Sequence, residues 1–352
     1  MAMRDHIDVI KGLRLQAGAC RKLGSEFSAA LLERAADDWL AGGPTRPLLA
    51  PWESAGLKAL FDAATALRLL GALHDLALGG EDAALADAYG RLDVDAAWTA
   101  ALAAMRREPE RLARFMEHEP QTNEVRRSIC LVGGFLEIAR VTGLPLRCFE
   151  IAASAGLNLF WDRYRYEFAP GAAWGDPQSS VRLDSAWEGP PPPIGAKVAV
   201  VERAACDRRP VDLTDPAERR RLLAYVWPDQ TERLARARAA IELALANGVT
   251  VEPGDAPDWT AARVAPKAGA VTVLYHSVFW QYMPAQSQAA LAAAIAAIAA
   301  KATPDAPFAW LAMEPPPENM ATMEVRLTLW PGGERRTLAE VHPHGAWVRW
   351  RG

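Results

Sequence analysis

The sequence has little cysteine, and the few cysteines it has are not spaced for a joint role. Neighbouring cysteines are separated by many residues, and none belongs to a Cys-x-x-Cys pair; the four are Cys20, Cys130, Cys148 and Cys206. This spacing excludes a disulfide framework and the usual zinc-binding motifs. His342-Pro343-His344 resembles a pair of metal ligands, but no nearby acid or thiol completes the set. We therefore expect no metal site.

Long apolar runs and a strong excess of charge are also missing. The alanine-rich stretch 288–301 is too short to span a bilayer. Lys11 and Arg14 interrupt the first apolar segment, which is unlike a signal peptide. The net charge of −4 provides no basic field for nucleic acid or for an anionic membrane. We expect a cytoplasmic protein that acts on a small molecule, and the sequence leaves its oligomeric state open.

The first 140 residues carry helical periodicity and hardly any strand pattern. With 352 residues, of which 51% are hydrophobic, the chain can form two domains or one large domain with a helical extension. We predict an all-α N-terminal region over residues 1–140. Its expected helices are 25–40, 57–78, 81–89, 95–105 and, at its end, 129–141.

Apolar strands alternate with helices from residue 141 to residue 352, which is typical of an α/β domain. We predict a doubly wound, mostly parallel, Rossmann-like sheet of the class I methyltransferase type. The expected strands are 146–151, 164–168, 181–184, 197–202, 249–252, 270–275, 308–313, 325–330 and 346–350. In such sheets ligands bind at the carboxyl ends of the strands.

A turn of small residues follows the first of these strands. The strand ends near Glu150, the small residues extend from Ala152 to Gly156, and a helix pattern begins at Leu157. Small side chains let the backbone approach a nucleotide-like ligand, and the start of a helix offers free N–H groups. The turn is therefore the best candidate for a binding site.

Three interpretations of this turn remain open. The first is a methyltransferase loop, usually acidic-x-Gly-x-Gly-x-Gly, in which Glu150, Ala152, Ser154 and Gly156 take the defining positions and only the last is glycine. The second is a serine-hydrolase elbow with Ser154 as nucleophile and His276 or His342 as base. The third is a close-packed turn of small residues without ligand. The corresponding alternative for function is a non-catalytic Rossmann-like module that has lost its cofactor and binds a partner.

Further candidates for cofactor contact lie after the turn and at later strand ends. Asn158 is a candidate for cofactor contact. Asp162 follows one helical turn later and is either a candidate for substrate contact or an ordinary surface carboxylate. Glu202, at the expected tip of the second strand, would hold ribose hydroxyls, with Asp207 as the alternative if that strand ends later. Asp255 would meet the adenine amino group, although capping of a helix explains it equally well.

Polar and aromatic residues follow the strand 270–275. His276 would remove or orient a proton, Ser277 is next to it, and Trp280 and Tyr282 would flank a cationic methyl group. These four are the catalytic candidates, although a single histidine is often structural.

A polar cluster precedes the helix 129–141. Asn123, Glu124 and Arg127 either form the solvated first turn of this helix, with Thr122 or Asn123 as its N-cap, or lie over the ligand loop and contact substrate.

Five segments of this chain resemble a bacterial family of uncharacterised proteins, domain of unknown function 2332. They are 121–125 (QTNEV), 154–159 (SAGLNL), 225–230 (YVWPDQ), 275–282 (YHSVFWQY) and 342–347 (HPHGAW). The fold of that family looks like the fold of S-adenosylmethionine-dependent methyltransferases. That family has no assigned reaction, so the resemblance itself implies little about function. Its methyltransferase-like fold agrees with the strand–turn–helix order at residues 146–157, and on both grounds we expect S-adenosylmethionine as cofactor and methyl transfer to a small-molecule acceptor.

Overall fold

The computed structural model describes residues 2–316 and 322–352, and the side chains from residue 8 onward. Its helices are α1 (Ala2–Lys22), α2 (Glu26–Leu40), α3 (Thr45–Leu49), α4 (Leu57–Asp62), α5 (Thr65–Gly79), α6 (Ala83–Gly90), α7 (Val94–Arg107), α8 (Pro109–Met116), α9 (Arg127–Thr142), α10 (Pro216–Ala224), α11 (Thr231–Ala246), α12 (Ala256–Arg263) and α13 (Ala285–Ala299). Short 3₁₀ helices cover Ala50–Trp52, Leu157–Arg163 and Trp280–Tyr282.

The strands all follow residue 145. They are β1 (Leu146–Ile151), β2 (Arg165–Ala169), β3 (Ala172–Gly175), β4 (Arg182–Asp184), β5 (Ala186–Glu188), β6 (Val200–Asp207), β7 (Glu252–Pro253), β8 (Val271–Ser277), β9 (Phe308–Glu314), β10 (Met323–Trp330), β11 (Glu334–Val341) and β12 (Trp347–Trp350). The described chain forms two compact units: unit 1 is Met1–Thr122 with Thr214–Arg238, and unit 2 is Asn123–Leu213 with Ala239–Gly352. The division at residue 122 differs from the expected boundary at residue 140.

Unit 1 is helical, and α5 lies at its centre. This helix contacts α6, α8 and α10 and buries apolar side chains on most of its surface, Leu69, Leu73 and Leu76 among them. Its neighbour α10 also belongs to unit 1. The ring of Tyr225, the residue after α10, lies beside Gly71, where an added Cβ would be 2.6 Å from it. The single helix expected over 57–78 is wrong, since the left-handed backbone of Ala64 separates α4 from α5.

Unit 2 contains a nine-stranded sheet in the order β5-β12-β11-β10-β9-β8-β1-β6-β7. The five strands from β9 to β7 are all parallel, and β9 to β12 form an antiparallel meander. A smaller sheet has the order β3-β2-β4. This confirms a mixed α/β protein with a large, mostly parallel sheet and many helices.

Strand β1 is the middle strand of the parallel part of this sheet and is buried along its whole length. Because successive side chains point to opposite faces, Phe149 and Ile151 pack with Leu291 and Ile295 of α13 on one face. On the other face, the ring of Tyr275 in the adjacent strand meets Phe135 of α9 edge to face. Helical residues thus cover both faces of the sheet beside β1.

Two strand ends differ from expectation. The second strand of the parallel part was expected over 197–202, but β6 extends from Val200 to Asp207, because β1 and β6 remain in register as far as Ile151 and Cys206. Glu202 therefore lies inside the strand and Asp207 at its carboxyl end. The third strand is only two residues long. No helix in the described chain is both long and apolar enough to cross a membrane.

Candidate functional site at the carboxyl end of strand β1

In the turn after β1, every second residue from 152 to 156 adopts a left-handed backbone conformation. Ala152 has φ +55°, Ser154 has φ +56° and Gly156 has φ +72°. For the two residues that carry a Cβ, this conformation costs about 1–2 kcal/mol each. The surrounding structure fixes it: Ala153 N donates to the carbonyl of Cys206 at 3.0 Å, and Gly156 N donates to the carbonyl of Ala153 at 2.8 Å.

Asp207, at the end of β6, fastens the turn. Its Oδ2 accepts a hydrogen bond from Ser154 N at 2.8 Å, and its Oδ1 accepts one from Arg209 N at 2.8 Å. Val211 N completes the attachment by donating to the carbonyl of Ser154 at 3.2 Å. The ends of two adjacent parallel strands, β1 and β6, are therefore joined through one half-exposed carboxylate.

Close packing explains the smallness of Gly156. A Cβ at this residue would lie 2.9 Å from a methyl group of Val249 and 2.9 Å from one of Val251. Ala153 and Ala155 are also buried, whereas Ala152 is half-exposed. The third interpretation, packing without ligand, thus accounts for part of the turn, and Ala152 is its accessible residue.

The expected free N–H at the helix start is already bonded. Leu157 begins a 3₁₀ helix, and its N–H donates to Asn123 Oδ1 at 2.9 Å. Asn123 is therefore not the N-cap of α9, and Thr122 is not either: that position is taken by Arg126, which makes no side-chain capping bond. The polar segment therefore contacts the turn after β1 through Asn123.

Glu124 and Asn158 connect the same two segments from the inside. Asn158 is buried; its Oδ1 accepts from Ser128 Oγ at 2.8 Å, and its Nδ2 donates to the carbonyl of Glu124 at 3.3 Å. The Glu124 carboxylate accepts from Arg126 N at 3.1 Å. The Asn158 side chain thus holds the loop to the segment before α9, whereas the hydrogen bond from Arg126 N to the Glu124 carboxylate lies within that segment.

Arg127 connects two other loops. Its Nε donates to the carbonyl of Pro343 at 3.0 Å, and its Nη1 lies 3.4 Å from the carbonyl oxygen of Ser277. It therefore joins the carboxyl end of β8 to the His342–His344 turn, both in unit 2.

Glu150 lies beneath the turn and is 4% exposed. Its Oε2 accepts a hydrogen bond from the hydroxyl of Tyr275 at 3.2 Å. Burial raises the pKa of Glu150 to about 8, so the carboxyl group is mostly protonated at neutral pH. The expected loop acid is thus an internal group.

Two acidic candidates form ion pairs with arginine. Glu202 Oε2 lies 2.6 Å from Arg147 Nε, and this hydrogen bond lowers the pKa of Glu202. Asp162 Oδ2 lies 2.7 Å from Arg203 Nη2, while burial raises the pKa of Asp162. Glu202 is not at a strand end, because β6 continues to Asp207, and Asp162 lies in the 3₁₀ helix Leu157–Arg163.

Asp255 is exposed at the first turn of α12. It occupies the N-cap position, but its side chain makes no capping hydrogen bond, so helix capping does not explain it. Its Oδ1 lies 3.8 Å from Arg208 Nε.

His276 is 1% exposed, and both its ring nitrogens are engaged. Trp310 Nε1 donates to Nε2 at 3.1 Å, so Nδ1 carries the proton and donates to Glu314 Oε1 at 2.8 Å. The same carboxylate oxygen accepts from Phe279 N at 2.8 Å. The expected role as an accessible base does not match this geometry, because strand alternation directs His276 into the apolar layer. The position of His276 at a predicted strand end could not reveal that Glu314 is its partner.

The other catalytic candidates are more accessible. Ser277 and Trp280 are half-exposed, and Tyr282 is 74% exposed. The Trp280 ring lies 5.7 Å from the ring of Trp310, and 6.2 Å from His276 in a nearly parallel arrangement. These residues form an aromatic rim at the carboxyl end of β8.

A serine-hydrolase geometry is not formed by the described residues. Ser154 Oγ is buried without a hydrogen-bond partner among them. The nitrogens of His276 are used as above, and Nδ1 of His342 accepts from His344 N at 3.0 Å. In the same part of the chain, no group of three or more His, Cys, Asp or Glu could hold a metal ion.

Fold and site together define a mixed α/β protein with a helical unit and a polar turn at the carboxyl ends of central parallel strands. The chain belongs to the family described as "Uncharacterized protein conserved in bacteria (DUF2332)", whose model matches residues 11–350. The family predicted from the sequence is thereby confirmed. No curated protein and no solved structure matches the chain.

Proposed function

We propose that unit 2 binds S-adenosylmethionine at the carboxyl ends of β1, β6 and β7 and serves methyl transfer to a small molecule. One observation carries this proposal: the order β7-β6-β1-β8-β9 is the 3-2-1-4-5 order of doubly wound nucleotide-binding sheets. In such sheets the ligand lies where the order reverses, and here that point is β1 with its small-residue turn.

The residues at this edge fit an adenosine-bearing ligand. Ala152 offers accessible backbone, and Asp207 replaces Glu202 as the acceptor for ribose hydroxyls, since a carboxylate offers about four acceptor sites. Ser154 Oγ is a buried hydroxyl without a partner in the described chain and suits a polar ligand atom. The exposed carboxylate of Asp255 suits the adenine amino group.

Bound S-adenosylmethionine supplies an electrophilic methyl group. The chain's own contribution is alignment and exclusion of water, which methyl transfer chiefly requires. Trp280 and Tyr282 would form an electron-rich wall for a cationic group. His276 acts indirectly: with Glu314 it holds the backbone of Phe279, next to Trp280. Ser277, the residue after His276, is an accessible polar side chain at the same end of β8.

Isothermal titration of the protein with S-adenosylmethionine and with S-adenosylhomocysteine tests the proposal. Asp255→Ala should lower the affinity for both ligands about tenfold, through loss of a hydrogen bond to a charged group. Asp258→Ala is the matched control, because Asp258 is exposed in the first turn of the same helix.

Absence of binding at about 1 mM ligand would refute the proposal, because that corresponds to only about 4 kcal/mol of binding free energy. Equal losses in the two variants would show that general charge, and not Asp255, is being measured. Labelling by a fluorophosphonate that disappears in Ser154→Ala would instead favour the hydrolase.

A further inference from the structure

Unit 1 contains a cavity that the proposed methyltransferase site does not use. It has a volume of about 290 Å³ and lies among α5, α8 and α10. Buried apolar side chains form its floor, namely Leu76, Leu112 and Phe115. Such a preformed apolar floor with polar groups at its edge is typical of a small-molecule site.

The edge of this cavity is rich in arginine. Arg111, Arg114, Arg220 and Arg221 line it, as does His118, and two acids, Asp75 and Glu218, line it as well. The lining itself therefore carries an excess of positive charge. A concave surface lined by arginines attracts anions where the arginines are not already paired with acids.

One carboxylate is shared between two of these arginines. Asp75 Oδ1 lies 3.0 Å from Arg220 Nε, and Asp75 Oδ2 lies 4.0 Å from Arg111 Nη2. Asp75 is nearly buried, so it fixes the two guanidinium groups in position. Arg111 also pairs with Glu81 and Glu108, which do not line the cavity.

Arg221 supplies charge that no acid of the described chain neutralises. Its Nη2 donates to the carbonyl of Phe115 at 2.6 Å, and its guanidinium lies 4.2 Å from the centre of the Phe115 ring. These contacts hold the Arg221 guanidinium group against Phe115. Arg114, which is 67% exposed, has only Glu110 as an ion-pair partner in the described residues, at 3.9 Å.

We propose that this cavity binds a compact organic anion, a molecule with a phosphate or carboxylate group and a small apolar part. Guanidinium groups bind both oxyanions through paired N–H donors, and Arg221 and Arg114 are the groups available for this. The apolar floor receives the remainder of the ligand. This site lies wholly within unit 1, so its existence does not depend on S-adenosylmethionine binding in unit 2.

Calorimetric titration of the full-length protein at constant ionic strength tests the proposal, with inorganic pyrophosphate and citrate as probes. At least one probe should bind saturably, and the better one assigns the ligand to phosphates or to carboxylates. Arg221→Gln and Arg114→Gln should each weaken this binding about tenfold or more. Arg114→Gln changes an exposed side chain, so it remains informative if Arg221→Gln disturbs α8.

Arg91→Gln is the matched control. Arg91 is an exposed arginine of unit 1 that pairs with Asp87 at 2.7 Å and does not line the cavity. The affinity of the Arg91→Gln variant for the probes should stay within about twofold of the wild-type value. Saturable binding by neither probe up to about 10 mM, or equal weakening by Arg91→Gln and Arg114→Gln, would overturn the assignment.

Discussion

The buried carboxyl group of Glu150 makes the stability of unit 2 depend on pH in a direction that can be tested. Its pKa rises from the ordinary value of 4.5 to about 8 because burial penalises the charged form. A raised pKa means that the folded state binds the proton more tightly than the unfolded state. The contribution to stability is therefore complete below pH 4.5 and is lost as pH rises through 8.

Glu150→Gln should remove this dependence. Glutamine matches the protonated acid in shape and keeps a carbonyl oxygen that can accept from the Tyr275 hydroxyl. The variant should gain stability relative to wild type between pH 5 and pH 9, by at most about 5 kcal/mol. Urea unfolding followed by tryptophan fluorescence suits the measurement, since nine of the 13 tryptophans lie in unit 2.

Glu137→Gln provides the control for this experiment. Glu137 is also a nearly buried glutamate of unit 2, but hydrogen bonding from Arg140 lowers its pKa, so it is ionised in both states above pH 6. Its stability difference from wild type should therefore not change from pH 6 to pH 9. If the Glu150→Gln curve also stays parallel to the wild-type curve, the argument for a buried neutral acid is refuted.

Two further predictions concern His74 and Ala152. Burial lowers the pKa of His74 from 6.5 to about 4, so unit 1 should lose stability as pH falls between those values; His74→Gln should reduce this loss by about 3 kcal/mol in thermal unfolding, and an unchanged pH profile would contradict it. Asparagine tolerates the φ of +55° at residue 152, so Ala152→Asn should not lower stability. Because it adds bulk at this half-exposed position, it should weaken S-adenosylmethionine binding about tenfold. Ala64→Asn, at φ +51° in unit 1, is its control, and equal affinities of both variants would remove Ala152 from the site.

Elements with strong local signals could be predicted from the sequence. The bounds of β1 were predicted as found, because a short apolar run follows Pro145 and precedes the small residues. The start of α10 was also predictable: Asp215 accepts from Ala217 N, and Pro216 occupies the first helical position. In both cases the decisive groups are neighbours in the chain.

Features set by distant contacts could not be predicted in the same way. Glu202 and Asp207 both follow apolar residues, and the register with β1 alone decides which one ends the strand. The break between α4 and α5 falls at Ala64, where neither glycine nor proline marks it. His276 resembles a catalytic histidine in sequence, and only the fold reveals that Trp310 and Glu314 occupy both its nitrogens.

The turn after β1 shows why small residues alone are ambiguous evidence for a ligand. At Gly156 the missing side chain makes room for Val249 and Val251, which follow more than ninety residues later. At Ala152 the small side chain borders an accessible edge, one residue beyond the strand. The same pattern in sequence therefore combines a packing requirement with an opening. Substitutions at Gly156 measure the packing, whereas substitutions at Ala152 measure the ligand, so the two explanations can be tested separately within one turn.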